Sequence, residues 1–408
     1  MSQTQRVVVV GGGLAGVKTA EALRTSGFKG SICIVAAEDQ LPYERPPLSK
    51  GYLMGKTEFS AQVVHPEEWF TENAVELRRK TRVTAIDRIA KRVELSDGTR
   101  LHYDTLVLAT GSRPRRIPLL GAEAQGVHYL RTKNNADALR SVFGEGKRVV
   151  FVGGGWIGLE VAAAARAAGC TVTILERLSL PLLPILGEEV AQVFADLHRS
   201  HGVDLHTAVD VKSIQTQDGV VTGVELGTGE VFPADAVVIA VGAIPSVELA
   251  QEAGLEVENG VLVDESLRSS DPSIFAVGDI ANQQHPFLGR RLRVEHWATA
   301  LNQPKTVAAA IMGEPASYTD LPYFFTDQYD LGMEYIGNAQ PGSYDQVVLR
   351  GDLAKREFLA FWLSQGVVIA GMNVNIWDVS ESIQKLIRSQ KQVDLKKLAD
   401  PSVALETL

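Results

Sequence analysis

Two stretches decide how this chain folds: Arg6–Gly16, which reads RVVVVGGGLAG, and Arg148–Gly158, which reads RVVFVGGGWIG. Each begins with a run of β-branched and aromatic apolar residues, the mark of a strand buried on both faces. Each run then enters G-x-G-x-x-G, formed by Gly11, Gly13 and Gly16 in the first copy and Gly153, Gly155 and Gly158 in the second. Alanine-rich helical stretches follow, to Thr25 and over Glu160–Ala168, and further strands, Ser31–Ala36 and Thr171–Leu175, close two βαβ units. LVLATG at Leu106–Gly111 and VVIAVG at Val237–Gly242 echo each other in the same way. Two dinucleotide-binding modules in one chain are the economical reading.

The glycines have separate tasks. The first permits the tight strand-to-helix turn, the second lets backbone approach a pyrophosphate, and the third lets helix and strand pack closely. The phosphates then face unpaired N–H groups at the positive end of a helix. In the second unit Glu176 ends the strand, 18 residues beyond Gly158. A carboxylate there accepts hydrogen bonds from ribose hydroxyls and repels a 2′-phosphate, which favours NADH; the adjacent Arg177 argues the other way. In the first unit Ala36 and Ala37 hold the strand end, and Glu38 is the nearest acid. Either Glu38 reaches the ribose or backbone groups do.

Composition bounds the rest. The chain has 408 residues, 45% hydrophobic and 22% charged, with a net charge of −9 from 40 basic and 49 acidic side chains. The excess of acid argues against a nucleic-acid binder. Apolar runs fall short of the ~20 residues a membrane span needs. The N-terminal residues lack a signal-peptide layout. Two cysteines cannot make a disulfide framework, so a cytoplasmic protein is expected. Turn-rich Gly111-Ser112-Arg113-Pro114 and Gly242-Ala243-Ile244-Pro245 read as crossings between modules. From Pro322 aromatics accumulate, and strand-like runs at Gln346–Arg350, Glu357–Leu363 and Gly366–Gly371 suggest an antiparallel sheet. The expected fold class is α/β, with two Rossmann-like dinucleotide-binding domains and a C-terminal α+β domain. Residues 1–112 and 245–321 would form one discontinuous domain, 113–244 the second and 322–408 the third.

Pro42–Lys50, PYERPPLSK, is not explained by glycine loops. Together with Ala109-Thr110-Gly111, Tyr129–Thr132, Ala276–Asp279, Glu295-His296-Trp297 and Phe325–Gln328, it resembles the NADH-dependent ferredoxin reductases that serve bacterial oxygenases. The resemblance spans essentially the whole chain and implies a glutathione-reductase-like fold. It implies FAD on the first module, with Gly11, Gly13, Leu14, Ala15 and Gly16 at its pyrophosphate and Ala37 and Glu38 at its adenosine. Val83 would meet the adenine through its backbone, Arg131 would lie along the cofactor, and Ala109, Thr110 and Gly111 belong to the same contact set. Arg45 and Lys50 would reach the flavin side, and Gly278 and Asp279 the ribityl chain. Glu295, His296 and Trp297 would open a helix whose positive end faces the pyrimidine edge of the flavin, where a reduced ring gathers negative charge. NADH would take Gly153, Gly155, Trp156, Ile157, Gly158, Glu160, Glu176, Arg177 and Gly242. Lys50 would stand near flavin N5 with Glu160 as its ion-pair partner. The chain departs from the family at Ala37, often an acid there, and at Phe325, often a tryptophan.

Cys33 and Cys170 lie in different modules and form no C-x-x-C, so a redox cysteine pair is not expected. The eight histidines make no ligand grouping, so no metal site is expected. Electrons would therefore leave to an external acceptor: hydride from NADH to the flavin, then single electrons to a [2Fe–2S] ferredoxin feeding a cytochrome P450 or Rieske oxygenase. An acidic ferredoxin needs a local basic face, and Arg290, Arg291 and Arg293 are the first candidates. The C-terminal cluster Lys385, Arg388, Lys391, Lys396 and Lys397 is the second. A rubredoxin reductase and an apoptosis-inducing-factor-like, NADH-responsive flavoprotein stand as alternatives.

Overall fold

The computed structural model describes residues 5–408, which divide into two compact units. One comprises 5–45, 59–113 and 243–322, the other 46–58, 114–242 and 323–408.

In the first unit Arg6–Val10 is the central strand of a five-stranded parallel sheet in the order Ile274–Ala276, Thr105–Leu108, Arg6–Val10, Ser31–Val35, Val75–Arg78. Val7, Val8, Val9 and Val10 are all buried, as a strand covered on both faces requires. The helix Leu14–Thr25 follows the glycine turn directly. Two three-stranded sheets complete the unit: Val83–Asp87 with Arg92–Leu95 and Arg100–His102, and Val261–Val263 with Ala281–His285 and Arg290–Arg293.

The second unit repeats the plan. Its parallel sheet runs Asp204–His206, Thr171–Leu175, Arg148–Val152, Ala236–Ile239, Val127–His128, and Trp156–Ala167 is the loop helix. The correspondence extends to single bonds. Gly11 donates to the Val35 carbonyl and Gly153 to that of Leu175, both at 2.9 Å. At the other end of each central strand, the Arg6 N–H donates to Asp104 at 2.7 Å and the Arg148 N–H to Asp235 at 2.8 Å.

The C-terminal region forms five antiparallel strands in the order Tyr323–Gln328, Leu331–Gly337, Val367–Val374, Glu357–Ser364, Gln346–Asp352. Phe358, Phe361 and Trp362 are fully buried beneath them, and the helix Ser380–Ser389 packs on the sheet. The expected α+β region is thus a sheet with helices on it. The hairpin Tyr323–Gln328/Leu331–Gly337 supplies the edge strand that carries Thr326 and Gln328.

Candidate active site and cofactor loops

The two glycine loops have the same steric logic. Gly11 has φ +124° and Gly153 φ +100°, backbone positions that side chains rarely adopt. A Cβ on Gly16 would sit 2.0 Å from the Gly11 carbonyl oxygen, and one on Gly158 would sit 2.6 Å from that of Gly153. The middle glycines differ from these: a Cβ on Gly13 would meet nothing within 4 Å, and on Gly155 only the Ala240 oxygen at 3.8 Å. Both helices begin with no side-chain cap and no acid in their first turn. Open backbone before uncapped, acid-free helix ends suits a pyrophosphate at each loop.

Around the first loop Ala37 is exposed, while Glu38 is committed to the protein. Its carboxylate accepts from Arg45 and from the Tyr43 hydroxyl, both at 2.6 Å. The Arg45 guanidinium also lies 5.2 Å from the Tyr43 ring. Of the two adenosine-end options, Glu38 is thereby drawn towards Arg45. Asp279 accepts from Ser112 at 2.6 Å, and its neighbour Gly278 donates to buried Gln303 at 2.7 Å. Gln303 belongs to the helix Trp297–Met312, which also starts with no side-chain cap and no first-turn acid. Burial pushes the imidazole of His296, at the start of that helix, down to about 4, so it is neutral at pH 7. Thr110 donates to the Ser246 carbonyl, Gly111 has φ +65°, and Val83 is buried at the start of its strand. Glu295 pairs with Arg293. Ala109, Leu14 and Ala15 are buried at the same sheet edge and loop helix. Arg131 belongs to the second unit, where its N–H faces Asn135.

In the second unit Glu176 folds back on the glycine loop. One carboxylate oxygen accepts from Gly154 N–H at 2.6 Å and the other from Leu178 N–H at 2.8 Å. A carboxylate offers about four lone-pair sites, so hydroxyl acceptance remains open to it. Arg177 points away, strongly exposed and 3.4 Å from Asp210. Trp156 packs edge-on against Phe194 and Phe324, Ile157 is exposed, and Gly242 follows the strand Ala236–Ile239 with φ +98°.

The same unit joins Lys50 to Glu160. The Nζ lies 2.7 Å from Glu160 Oε1, with both side chains nearly buried. Ser49 donates to Oε2 at 2.5 Å and Thr326 to Oε1 at 2.5 Å. A buried carboxylate is costly unless several donors hold it, and here three do. Phe325 lies beside this group, with its ring 5.3 Å from Lys50 Nζ. Asp327 is held above the usual carboxylate range by burial, a rise that Glu160 adds to and Lys50 opposes. The lysine and glutamate that the resemblance paired are therefore in contact, together with two hydroxyls that it did not supply.

Comparison with known proteins adds the family. The pyridine nucleotide-disulphide oxidoreductase model matches residues 5–304, and a reductase C-terminal model matches 323–408. The chain belongs to the pyridine nucleotide-disulphide oxidoreductases. Within them it is one of the oxygenase-type ferredoxin reductases. It is 41% identical to the anthranilate 1,2-dioxygenase system ferredoxin–NAD(+) reductase component of Burkholderia cepacia, over 98% of each chain. The reductase in the covalent putidaredoxin reductase–putidaredoxin complex superposes with a TM-score of 0.95 at 37% identity, covering 99% of this chain and 98% of that one. A rubredoxin–NAD(+) reductase of Pseudomonas putida is 37% identical over 91% of this chain and 96% of its own.

Cys33 is buried within a strand of the first unit and Cys170 is buried in the second. Burial pushes the Cys33 thiol up to about 12 and raises Cys170 as well, so both stay protonated and unreactive. The cations proposed for docking fare differently from one another. Arg293 is nearly buried, pairs with Glu295 at 2.5 Å and donates to the Asp279 carbonyl, so its charge is spent inside the reductase. Arg291 is exposed but donates to the carbonyls of Val263 and Asn282. Lys385 pairs with Glu381 along an exposed helix face that also carries Arg388. Among the described residues no helix is long and apolar enough to cross a membrane, and no group of three or more His, Cys, Asp or Glu is placed to hold a metal ion.

Proposed function

We propose that this protein is an FAD-dependent NADH:ferredoxin reductase that delivers single electrons to a [2Fe–2S] ferredoxin serving an oxygenase of the cytochrome P450 or Rieske type. The observation that carries this reading is the whole-length likeness to reductases of oxygenase systems, one of them seen joined to its electron-carrier partner. When bound, FAD supplies a ring that takes a hydride, an electron pair, and gives the electrons up one at a time.

The chain's own residues bind and orient. Gly11–Gly16 and Gly153–Gly158 hold the two pyrophosphates on helix ends. Arg45 would reach the flavin side of FAD and Asp279 its ribityl chain, and the positive end of Trp297–Met312 would face the pyrimidine edge. Lys50, fixed by Glu160, stands at the nicotinamide side, and Glu176 selects NADH by repelling a 2′-phosphate. Three domains divide this labour: 1–112 with 245–321, 113–244, and 322–408. Arg290, Arg291, Lys385 and Arg388 remain candidates for docking an acidic ferredoxin against a net charge of −9. The protein works in the cytoplasm.

Rubredoxin is the second reading for the acceptor, favoured by the similarity to a rubredoxin reductase. Anaerobic stopped-flow of the FAD-loaded protein decides between them. Fast bleaching by NADH but not NADPH, then fast reoxidation by a [2Fe–2S] ferredoxin, is the expected outcome. Reoxidation by rubredoxin alone changes the acceptor. A reduced protein that neither reoxidises points instead to an NADH-responsive switch.

A further inference from the structure

The motif Phe325–Gln328 carries more than the flavin-side contact that the resemblance implies. Thr326 and Gln328 lie two apart on one strand, on one face, and both are buried. Thr326 Oγ1 lies 2.5 Å from Glu160 Oε1 and 3.2 Å from Gln328 Nε2. Gln328 Oε1 lies 2.9 Å from Nε2 of His198, which is wholly buried on the helix Glu188–Ser200. His198 Nδ1 in turn lies 3.4 Å from the Tyr329 hydroxyl.

The hydrogen inventory gives this row one direction. A hydroxyl has a single hydrogen, and an ionised carboxylate only accepts, so Thr326 donates to Glu160 and must accept from the Gln328 amide N–H. The Gln328 oxygen then faces His198, which must carry its hydrogen on Nε2, leaving Nδ1 to accept from Tyr329. Every donor points towards Glu160.

We infer that Gln328 and His198 are positioning residues for the Glu160 carboxylate: through Thr326 they hold it oriented towards Lys50. The inference rests on the reading that Lys50 and Glu160 serve the nicotinamide side of the reaction. Burial holds the His198 imidazole down to about 4, so it stays neutral across physiological pH. Neither His198 nor Gln328 touches Glu160, and a purely structural role would leave Glu160 chemistry unchanged when they are altered.

Long-range ¹⁵N–¹H NMR of the FAD-loaded protein, with His198 assigned by its loss in His198→Gln, reads the chain directly. A neutral Nε2–H tautomer from pH 6 to 8, turning into a tautomer mixture in Gln328→Leu, is expected. An Nδ1–H tautomer in the unaltered protein overturns the inference. The kinetic test is NADH-dependent ferricyanide reduction. Thr326→Val should lower kcat by about tenfold, the loss of one hydrogen bond to a charged group, with NADH KM little changed and Thr326→Ser restoring the rate. Gln328→Leu should lower kcat by about threefold at full flavin content, as an indirect contact does. A folded, flavin-replete Gln328→Leu enzyme with unchanged kcat overturns the inference. Glu160→Gln retaining the full NADH rate would instead remove the nicotinamide-side reading of the pair, while the His198 tautomer would still report the chain.

Discussion

The two glycine loops share one backbone and differ in where they keep acid. Leu14 and Trp156 open the loop helices, and four residues later stand Lys18 and Glu160. Lys18 lies on the partly exposed helix face and pairs with Glu21 at 2.8 Å, whereas Glu160 is buried among Lys50, Ser49 and Thr326. At the ends of the second strands, Ala36 in one module is matched by Glu176 in the other. The first module has open backbone at Gly13 and no acid at its strand end; the second keeps two buried acids, Glu160 and Glu176, beside its loop and loop helix.

The largest effect expected is at the buried pair. Lys50→Met should destabilise the protein by about 3–5 kcal/mol, because Glu160 is left as an uncompensated buried charge. The double variant Lys50→Met/Glu160→Leu should regain most of that loss in urea denaturation, while neither supports fast reduction by NADH. Full stability in Lys50→Met alone would erase the contrast with the solvent-facing Lys18–Glu21 pair.

Next come the close approaches. Gly16→Ala and Gly158→Ala should each cost about 1–3 kcal/mol by overpacking, the first more than the second in keeping with 2.0 Å against 2.6 Å. Thermal melts of the two variants read the order, and FAD content should fall only with Gly16→Ala. Glu176→Gln should narrow the preference for NADH over NADPH by about tenfold, the value of one charge-assisted hydrogen bond, in a ratio of kcat/KM values. An unchanged ratio would reduce Glu176 to a fastener of Gly154.

The smallest effect compares the two strand locks. The Arg148 guanidinium and backbone N–H hold Asp235 down to about 2. A carboxylate depressed in the folded state stabilises above its ordinary value near 4 and loses that contribution as pH falls towards 2. Asp235→Asn should therefore cost less than ~1 kcal/mol at pH 7, since the pair faces solvent. The difference from the unaltered protein should fade between pH 4 and 2 in melting temperature.

Local pattern made much of this legible. Valine runs, glycine spacing and alanine-rich helices declare both modules because each is set by residues within about 30 positions. The hairpin turn at Tyr329 escaped reading because it has no glycine or asparagine at its left-handed position. Tyr329 adopts φ +56° and stacks instead on His201, with ring centres 3.8 Å apart. The attachment of Pro46–Glu58 to the second unit has no local signature either. It rests on Lys50 meeting Glu160 and on the Tyr52 hydroxyl meeting Asp137 at 2.5 Å, contacts between residues far apart in the chain. His198 reads in sequence as one more helical histidine, since its partner Gln328 is 130 positions away. R-R-x-R at Arg290–Arg293 reads as a basic face, and only the fold shows Arg293 turned inward onto Glu295 and the Asp279 carbonyl.

The order of strands in the first sheet has a consequence for how the protein is made. Its edge strand Ile274–Ala276 pairs with Thr105–Leu108, and Asp279 follows at once. On the ribosome the first glycine loop emerges early, yet the sheet that supports it stays unfinished until Ala276 of a 408-residue chain has been synthesised. Such long-range parallel pairing folds slowly and leaves a bare sheet edge waiting. Flavin capture is thus a late event in the life of the nascent chain, and chaperone demand should fall on the interval before it.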